Sequence, residues 1–287
     1  MRLRSLVLMV VLAALAGGRA DAQKRIRPPP QYKTWGEPDQ AKGLEILQAF
    51  RNSGLAGDYL LNFSLQTYGA DREKFRVAGT LYGSRSRNGP ISLIEINEPS
   101  GSGRSVRYLI QSGPEPYVWR ADEEDEIPVL LAGGDLAQTL FGTDVTPFDL
   151  QLPYLFWEDF TYEGQVRFRG RPTNVFLLFP PEREGGLYPG ITGVRLYLDS
   201  QFNAMMQAEI LNEALEIVKK INLLEIKKID GQWMAKAIDV RMPDGVKTRF
   251  RIESASMSCA WDPALFEPAK LYQDLPRLEE SRLTVVR

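Results

Sequence analysis

From Tyr59 onward the chain alternates apolar and polar side chains with a period of two, again and again for almost two hundred residues. Leu61, Phe63 and Leu65 alternate with Asn62, Ser64 and Gln66, and Phe75, Val77, Gly79 and Leu81 with Arg76, Ala78 and Thr80. A period of two sends successive side chains to opposite faces of a strand. The same rhythm occupies residues 91–96, 106–110, 166–168, 175–179, 194–198, 205–211, 215–227, 234–242 and 247–253. Arg87-Asn88-Gly89-Pro90, Glu98-Pro99-Ser100-Gly101, Asp230-Gly231 and Pro243-Asp244-Gly245 separate these segments as short antiparallel turns. About 10–11 antiparallel strands form a sheet large enough to curl. The predicted class is therefore α+β, an open or incomplete antiparallel barrel with helices stopping its mouth.

One long helix precedes the strands. Pro38 suits its first turn, and Leu44, Ile46, Leu47 and Phe50 form its apolar stripe up to Asn52-Ser53-Gly54. Leu44, Leu47 and Phe50 are read as plugs against the sheet. Residues 121–163 break the strand rhythm. They hold the acidic run Asp122 to Glu126, an apolar stretch at 127–141 and the aromatic run Pro153-Tyr154-Leu155-Phe156-Trp157. Without alternation, short helices are predicted there, as a lid insert inside one fold. Tyr154, Phe156, Trp157 and Phe160 either complete the core or form a movable cover over an apolar concavity. The residues alone leave both readings open. Asp262-Pro263 opens a terminal helical turn.

The first 22 residues read as an address. Arg2 and Arg4 precede a short apolar run, and Ala20-Asp21-Ala22 has the small-x-small form of a cleavage site. Residues 23–36, with Pro28-Pro29-Pro30, read as a flexible leader, and 37–287 as a single domain. Cleavage after Ala22 leaves 32 basic and 36 acidic residues, a net charge of −4. With no cysteine beside the cleavage site and no second apolar segment of spanning length, the expectation is a soluble periplasmic protein without a lipid anchor.

Composition narrows the chemistry. The chain has no histidine and one cysteine, Cys259. That excludes imidazole-based triads, histidine-ligated metals, multi-cysteine clusters and any internal disulfide. Cys259 beside Trp261 reads as a small buried hydrophobe. The acidic run lacks the spacing of a calcium loop and reads as a solvated loop. Glu158, Asp159 and Glu163 are the one carboxylate group with the makings of an acid–base pair. Gly133-Gly134 and Gly185-Gly186 sit in no phosphate-binding frame. A formal charge of −2 over the whole chain gives no reason to expect nucleic acid. The reading is of a protein that is not an enzyme, with no metal and no cofactor.

Three stretches carry a family resemblance. Gly142-Thr143-Asp144-Val145-Thr146-Pro147-Phe148-Asp149-Leu150 resembles the G-S-D-F-S-Y-E-D-L stretch of the outer-membrane lipoprotein-sorting family, relatives of the LolA carrier and LolB receptor. Lys227-Lys228-Ile229-Asp230-Gly231-Gln232-Trp233 resembles its K-x-I-D-G-x-W turn, and Ala264-Leu265-Phe266-Glu267-Pro268 its closing L-F-x-P. The chain departs from the pattern at Val145 and at Pro147-Phe148. The resemblance implies a half-open barrel whose apolar concavity takes lipoprotein or lipid acyl chains, with an inner-membrane exporter and an outer-membrane acceptor as partners. It implies no catalysis and no cofactor. In that frame Leu61, Phe63, Leu65, Phe176, Leu178, Leu196 and Leu198 are candidate walls, and Phe141, Phe148, Tyr154, Phe156 and Trp157 the candidate lid. The alternative is a non-catalytic envelope accessory protein of the same fold that has lost cargo binding.

Overall fold

The computed structural model describes residues 32–69, 76–98, 103–181 and 188–287. The segments expected to be a signal peptide and a leader, up to residue 31, lie outside the described residues, as do Pro99-Ser100-Gly101 and Gly185-Gly186.

Helix α1 spans Gln40–Asn52 with Asp39 as its cap, so Pro38 lies just before the helix rather than in its first turn. Asp39 caps it by accepting from the backbone N–H groups of Ala41 (2.9 Å) and Lys42 (3.2 Å). Its contact line differs from the predicted stripe. Leu47 is fully buried and Ile46 and Phe50 pack beside it, whereas Leu44 is exposed. The reason is Gly43, which rests directly on Tyr162 so that a Cβ there would lie 2.5 Å from the Tyr162 Cβ. The line of closest approach runs through 43 and 47, which turns Leu44 outward.

The strands are β1 (Asp58–Tyr68), β2 (Arg76–Ser86), β3 (Gly89–Asn97), β4 (Ser105–Gln111), β5 (Tyr117–Ala121) and β6 (Val129–Leu130), then β7 (Phe160–Phe168), β8 (Arg171–Leu178), β9 (Gly193–Asp199), β10 (Met205–Leu211), β11 (Ile217–Ile229), β12 (Gln232–Arg241), β13 (Lys247–Cys259) and β14 (Thr284–Val285). All fourteen belong to one antiparallel sheet that does not close, in the order β6-β5-β4-β3-β2-β1-β13-β12-β11-β10-β9-β8-β7, with β14 on β13. Two meanders are therefore joined through β1 and β13, the two longest-range partners in the sheet. The predicted 10–11 strands fall short by β5, β6 and β14. The last two have two residues each, too few to display a period. Asp230 (φ 47°) and Gly231 (φ 84°) both take the left-handed backbone that a two-residue hairpin needs.

The edge strand β7 is covered rather than bare. Trp35 N donates to Gln165 O at 2.8 Å, and the Gln40 amide bonds both backbone groups of Tyr162, each at 2.8 Å. A side-chain amide thus stands in for a neighbouring strand.

Between β5 and β7 the predicted short helices are present: a 3-10 turn at Gly133–Ala137, helix α2 at Pro147–Gln151 and a second 3-10 turn at Pro153–Phe156. Phe160 is not among them, since it opens β7. One buried cluster unites Val118 of β5, Phe63 of β1 and Phe176 of β8 with side chains of this insert and of α1. Strands from opposite ends of the sheet meet there because the sheet bends around the helices. The opposite face is partly covered by the chain after β13, with Phe266 and Leu271 packed on Leu60, Leu93 and Leu109.

Candidate functional site

The concave face is built by alternation. In β8 and β9, Phe176, Leu178, Leu196 and Leu198 turn into the cluster shared with the helices, each fully buried. Their neighbours Val175, Leu177 and Tyr197 belong to separate clusters on the other side. Phe63 and Leu65 of β1 join the same concave cluster. Leu61 does not: it packs with Ile229, Met234 and Ile252 in an adjoining one, past a register shift between Asn62 and Phe63.

Over these residues lies a closed circuit of aromatic rings. Phe148 meets Tyr154 (centroids 5.9 Å apart), Tyr154 meets Trp157 (6.3 Å), Trp157 meets Tyr188 (5.6 Å) and Tyr188 returns to Phe148 (5.3 Å). All four are buried. Edge and tilted contacts of this kind add to the area they bury. Tyr188 escaped the sequence reading, because it follows a glycine-rich loop with no period to mark it. Phe141 packs on the margin of the cluster and lines a cavity of about 170 Å³ with Val106, Tyr108, Arg120 and Pro147. Phe156 is half-buried and belongs to none of the buried clusters.

Polar contacts fasten this cover at both ends. At its start, Thr146 and Asp149 form a reciprocal capping box on α2, with Pro147 in the first turn. Asp149 Oδ2 also accepts from Lys219 Nζ of β11 at 2.6 Å, and the same ammonium donates to Asp144 O at 3.0 Å. Thr248 of β13 donates its hydroxyl to Asp144 Oδ2 and accepts from the Asp144 N–H. The Gly142 to Leu150 motif is therefore a fastening: its acidic residues tie the insert to two strands. At its far end, Arg51 of α1 donates to Leu155 O at 2.6 Å and Trp157 O at 2.5 Å. Burial lowers the Arg51 pKa, with the Glu158 charge opposing. Burial, then the Asp149 charge, hold the Tyr154 hydroxyl well above the usual tyrosine range.

The fastening is incomplete. Asp149 Oδ1, Gln151 Oε1 and Trp157 Nε1 are buried without a hydrogen-bond partner among the described residues. Each such group costs about 1–3 kcal/mol relative to a solvated one. Three of them within nine residues weaken the closed cover where its rings pack best.

The carboxylates singled out in sequence do not converge. Glu163 pairs with Arg195 at 2.9 Å beneath Tyr32 on the outer side of the sheet, while Glu158 and Asp159 are exposed. Asp122, Glu123 and Glu124 surround Arg104, and Asp125 pairs with Arg120, so the acidic run is an ion-paired loop. Cys259 is half-buried, and burial raises its thiol pKa.

Neither a protein-family model nor a curated protein matches the sequence. Among solved structures, a DUF1329 family protein from Desulfovibrio piger ATCC 29098 superposes with a TM-score of 0.69 at 16% identity, covering 80% of this chain and 98% of that one. A Vibrio parahaemolyticus domain, named as an outer membrane lipoprotein-sorting protein domain, gives a TM-score of 0.69 at 16% identity, covering 81% and 99%. A LolA superfamily protein from Nitrosomonas europaea gives 0.61 at 15% identity, covering 78% and 96%. At these identities the likeness is one of fold. No helix among the described residues is long and apolar enough to cross a membrane.

Proposed function

We propose that this protein, which shares the fold of the LolA-like lipoprotein-sorting structures, is a soluble periplasmic carrier. Its cargo is the acyl chain of a lipoprotein or another lipid, held in the concavity of a half-open barrel. The carrying observation is the circuit of Phe148, Tyr154, Trp157 and Tyr188, which occupies the apolar face of the sheet instead of another strand. In this reading Phe63, Leu65, Phe176, Leu178, Leu196 and Leu198 are the wall, with Leu61 at its end. Phe148, Tyr154 and Trp157 are the moving cover, with Phe141 and Phe156 at its margin.

The physics of such a carrier is competition. An acyl chain gains about 0.8 kcal/mol for each buried CH₂, so a permanently open cavity would hold its cargo too firmly to release it. Aromatic side chains that fill the cavity when it is empty offset much of that gain. The unpartnered polar atoms of the cover act in the opposite direction, since they regain water when it opens. Handover then needs only an acceptor whose pocket is modestly better. The protein works by binding, without catalysis or cofactor. An inner-membrane donor and an outer-membrane acceptor are the partners this cycle requires.

The test is native mass spectrometry of protein purified from its own periplasm, with displacement of a fluorescent fatty acid as the second readout. A carrier shows co-purifying acyl-chain adducts, and Phe176→Asp or Leu196→Asp abolishes probe uptake. A ligand-free protein that takes up no probe, even when Arg51→Ala loosens the cover, would instead be an accessory protein with a permanently sealed core.

A further inference from the structure

The cavity beside Phe141 joins the buried concave cluster to solvent. Val106 and Tyr108 of β4, with Leu131 and Leu140, form its deep wall, and all four are buried members of that cluster. Phe141 and Pro147 border it from the side of the cover. Its outer lining is polar and includes Arg120, Asp122 and the exposed Asp135. At about 170 Å³ it has room for several methylene groups, apolar where it is deep and polar where it meets water.

Charge at this rim is one-sided. Asp122, Glu123, Glu124, Asp125 and Glu126 precede β6 and Asp135 follows it. Two cations stand among them, and both are engaged. Arg104 pairs with Asp122 at 3.1 Å and Glu124 at 2.9 Å. Arg120, the one cation among the described lining residues, pairs with Asp125 at 3.3 Å. Six carboxylates thus face two guanidiniums. Glu126 and Asp135 have no cationic partner among the described residues, and Asp135 accepts from the Gln138 side-chain amide at 3.2 Å. A cleft with apolar walls and one sign of charge at its rim concentrates the opposite charge there. An anionic head is repelled by it. An alkyl chain ending in an ammonium fits both parts, with methylenes on the deep wall and its charge beside Asp135.

We propose that this cavity is the portal through which cargo enters the concavity, and that its acidic rim selects acyl chains whose head carries a free ammonium over those whose head is anionic. The inference rests on the carrier reading, because the tail passes beyond the portal only when the cover opens.

Dodecylamine, dodecanol and dodecanoate test it, each below its micelle concentration, as competitors for the fluorescent fatty acid on the purified protein at pH 7. The tails are identical, so differences in the half-displacing concentration report the head. Dodecylamine acts at a concentration about fivefold or more below dodecanoate, with dodecanol between them, and the ratio shrinks as salt is added. Dodecylamine also slows amide hydrogen exchange in residues 131–141. Asp135→Lys/Glu126→Lys changes two exposed side chains and leaves four carboxylates facing four cations. It brings the ratio close to one, with far-UV circular dichroism unchanged. Probe uptake without a head preference, a preference for dodecanoate, a preference that the double variant leaves intact, or no protection of residues 131–141 overturns the proposal and leaves the carrier reading standing. Absence of probe uptake, in Arg51→Ala as in wild type, overturns both.

Discussion

Lys219 Nζ lies 2.6 Å from Asp149 Oδ2 and joins the start of β11 to the first turn of α2, seventy residues away in the chain. The carboxylate is almost wholly buried and its other oxygen has no partner among the described residues. Removing one member of such a pair leaves a charge that neither protein nor solvent compensates.

Lys219→Met should therefore destabilise the protein by about 3 kcal/mol, the low end for a broken buried pair because Lys219 keeps some contact with water. For a domain of this size that lowers Tm by roughly 6–12 °C. Lys219→Met/Asp149→Asn should recover more than half of the loss, because Asn retains the cap acceptor for Thr146 while removing the stranded charge. Calorimetry of the two variants decides. A double variant as unstable as the single one would show that the charge is not the cause.

Arg51 fastens the other end of the cover, and its loss should act locally. Its two bonds to Leu155 O and Trp157 O are charge-assisted, each contributing about 1.5–3 kcal/mol. Arg51→Ala should speed amide hydrogen exchange in residues 153–158 by about tenfold or more while strands β8 and β9 keep their protection. Arg51→Lys should fall between, because an ammonium lacks the planar fork that spans two carbonyls. Unchanged exchange in that segment would remove Arg51 from the fastening.

The strands were legible because a two-residue period is written directly into the side chains, as at Leu61 to Gln66 or Met205 to Leu211. What escaped has physical reasons. β6 and β14 are too short for a period. Gly43 is the closest contact of α1 yet has no side chain to signal it, so Leu44 looked like the better plug. Alternation put Phe63, Leu65, Phe176, Leu178, Leu196 and Leu198 on one face, where they share a cluster, and Leu61 packs in the adjoining one, past a register shift. Asp149 and Lys219, like Asp144 and Thr248, meet only after the sheet has bent. Arg195 and Glu209 are fully buried on the outer side of the sheet, where alternation assigns charged residues to solvent.

Gly43→Ala sets two effects of opposite sign against each other. Helix propensity alone favours alanine by about 1 kcal/mol. The added Cβ, however, meets Tyr162 Cβ at 2.5 Å and Cγ at 2.6 Å, in a strand whose backbone is held by Gln40. Overpacking against a fixed neighbour costs about 1–3 kcal/mol, so the clash wins and Tm falls. Gly43→Ala made in a Tyr162→Gly background, which removes the opposing Cβ as well as the ring, should cost less than in wild type, which a double-mutant cycle in urea measures. A Tm above wild type for the single variant would mean that α1 can shift freely on β7.

Acid stability should depend on Asp239. Its carboxyl is fully buried, and burial alone would raise its pKa. Hydrogen bonds from Arg249 at 2.7 and 3.1 Å, with the charges of Arg249, Lys247 and Arg241, outweigh burial and hold it below the usual carboxylate range. A carboxylate depressed in the folded state contributes stability that is complete above its unfolded pKa of about 3.9 and disappears as pH falls through the lower folded value. Asp239→Asn should therefore lower stability at pH 7 by about 3 kcal/mol, since three cations lose their shared anion. Below pH 3 the wild type loses this advantage and the two curves of stability against pH should converge. Urea titrations at pH 7, 5, 4 and 3 follow the gap directly; a difference that stays constant down to pH 3 would show that the charge of Asp239 contributes nothing.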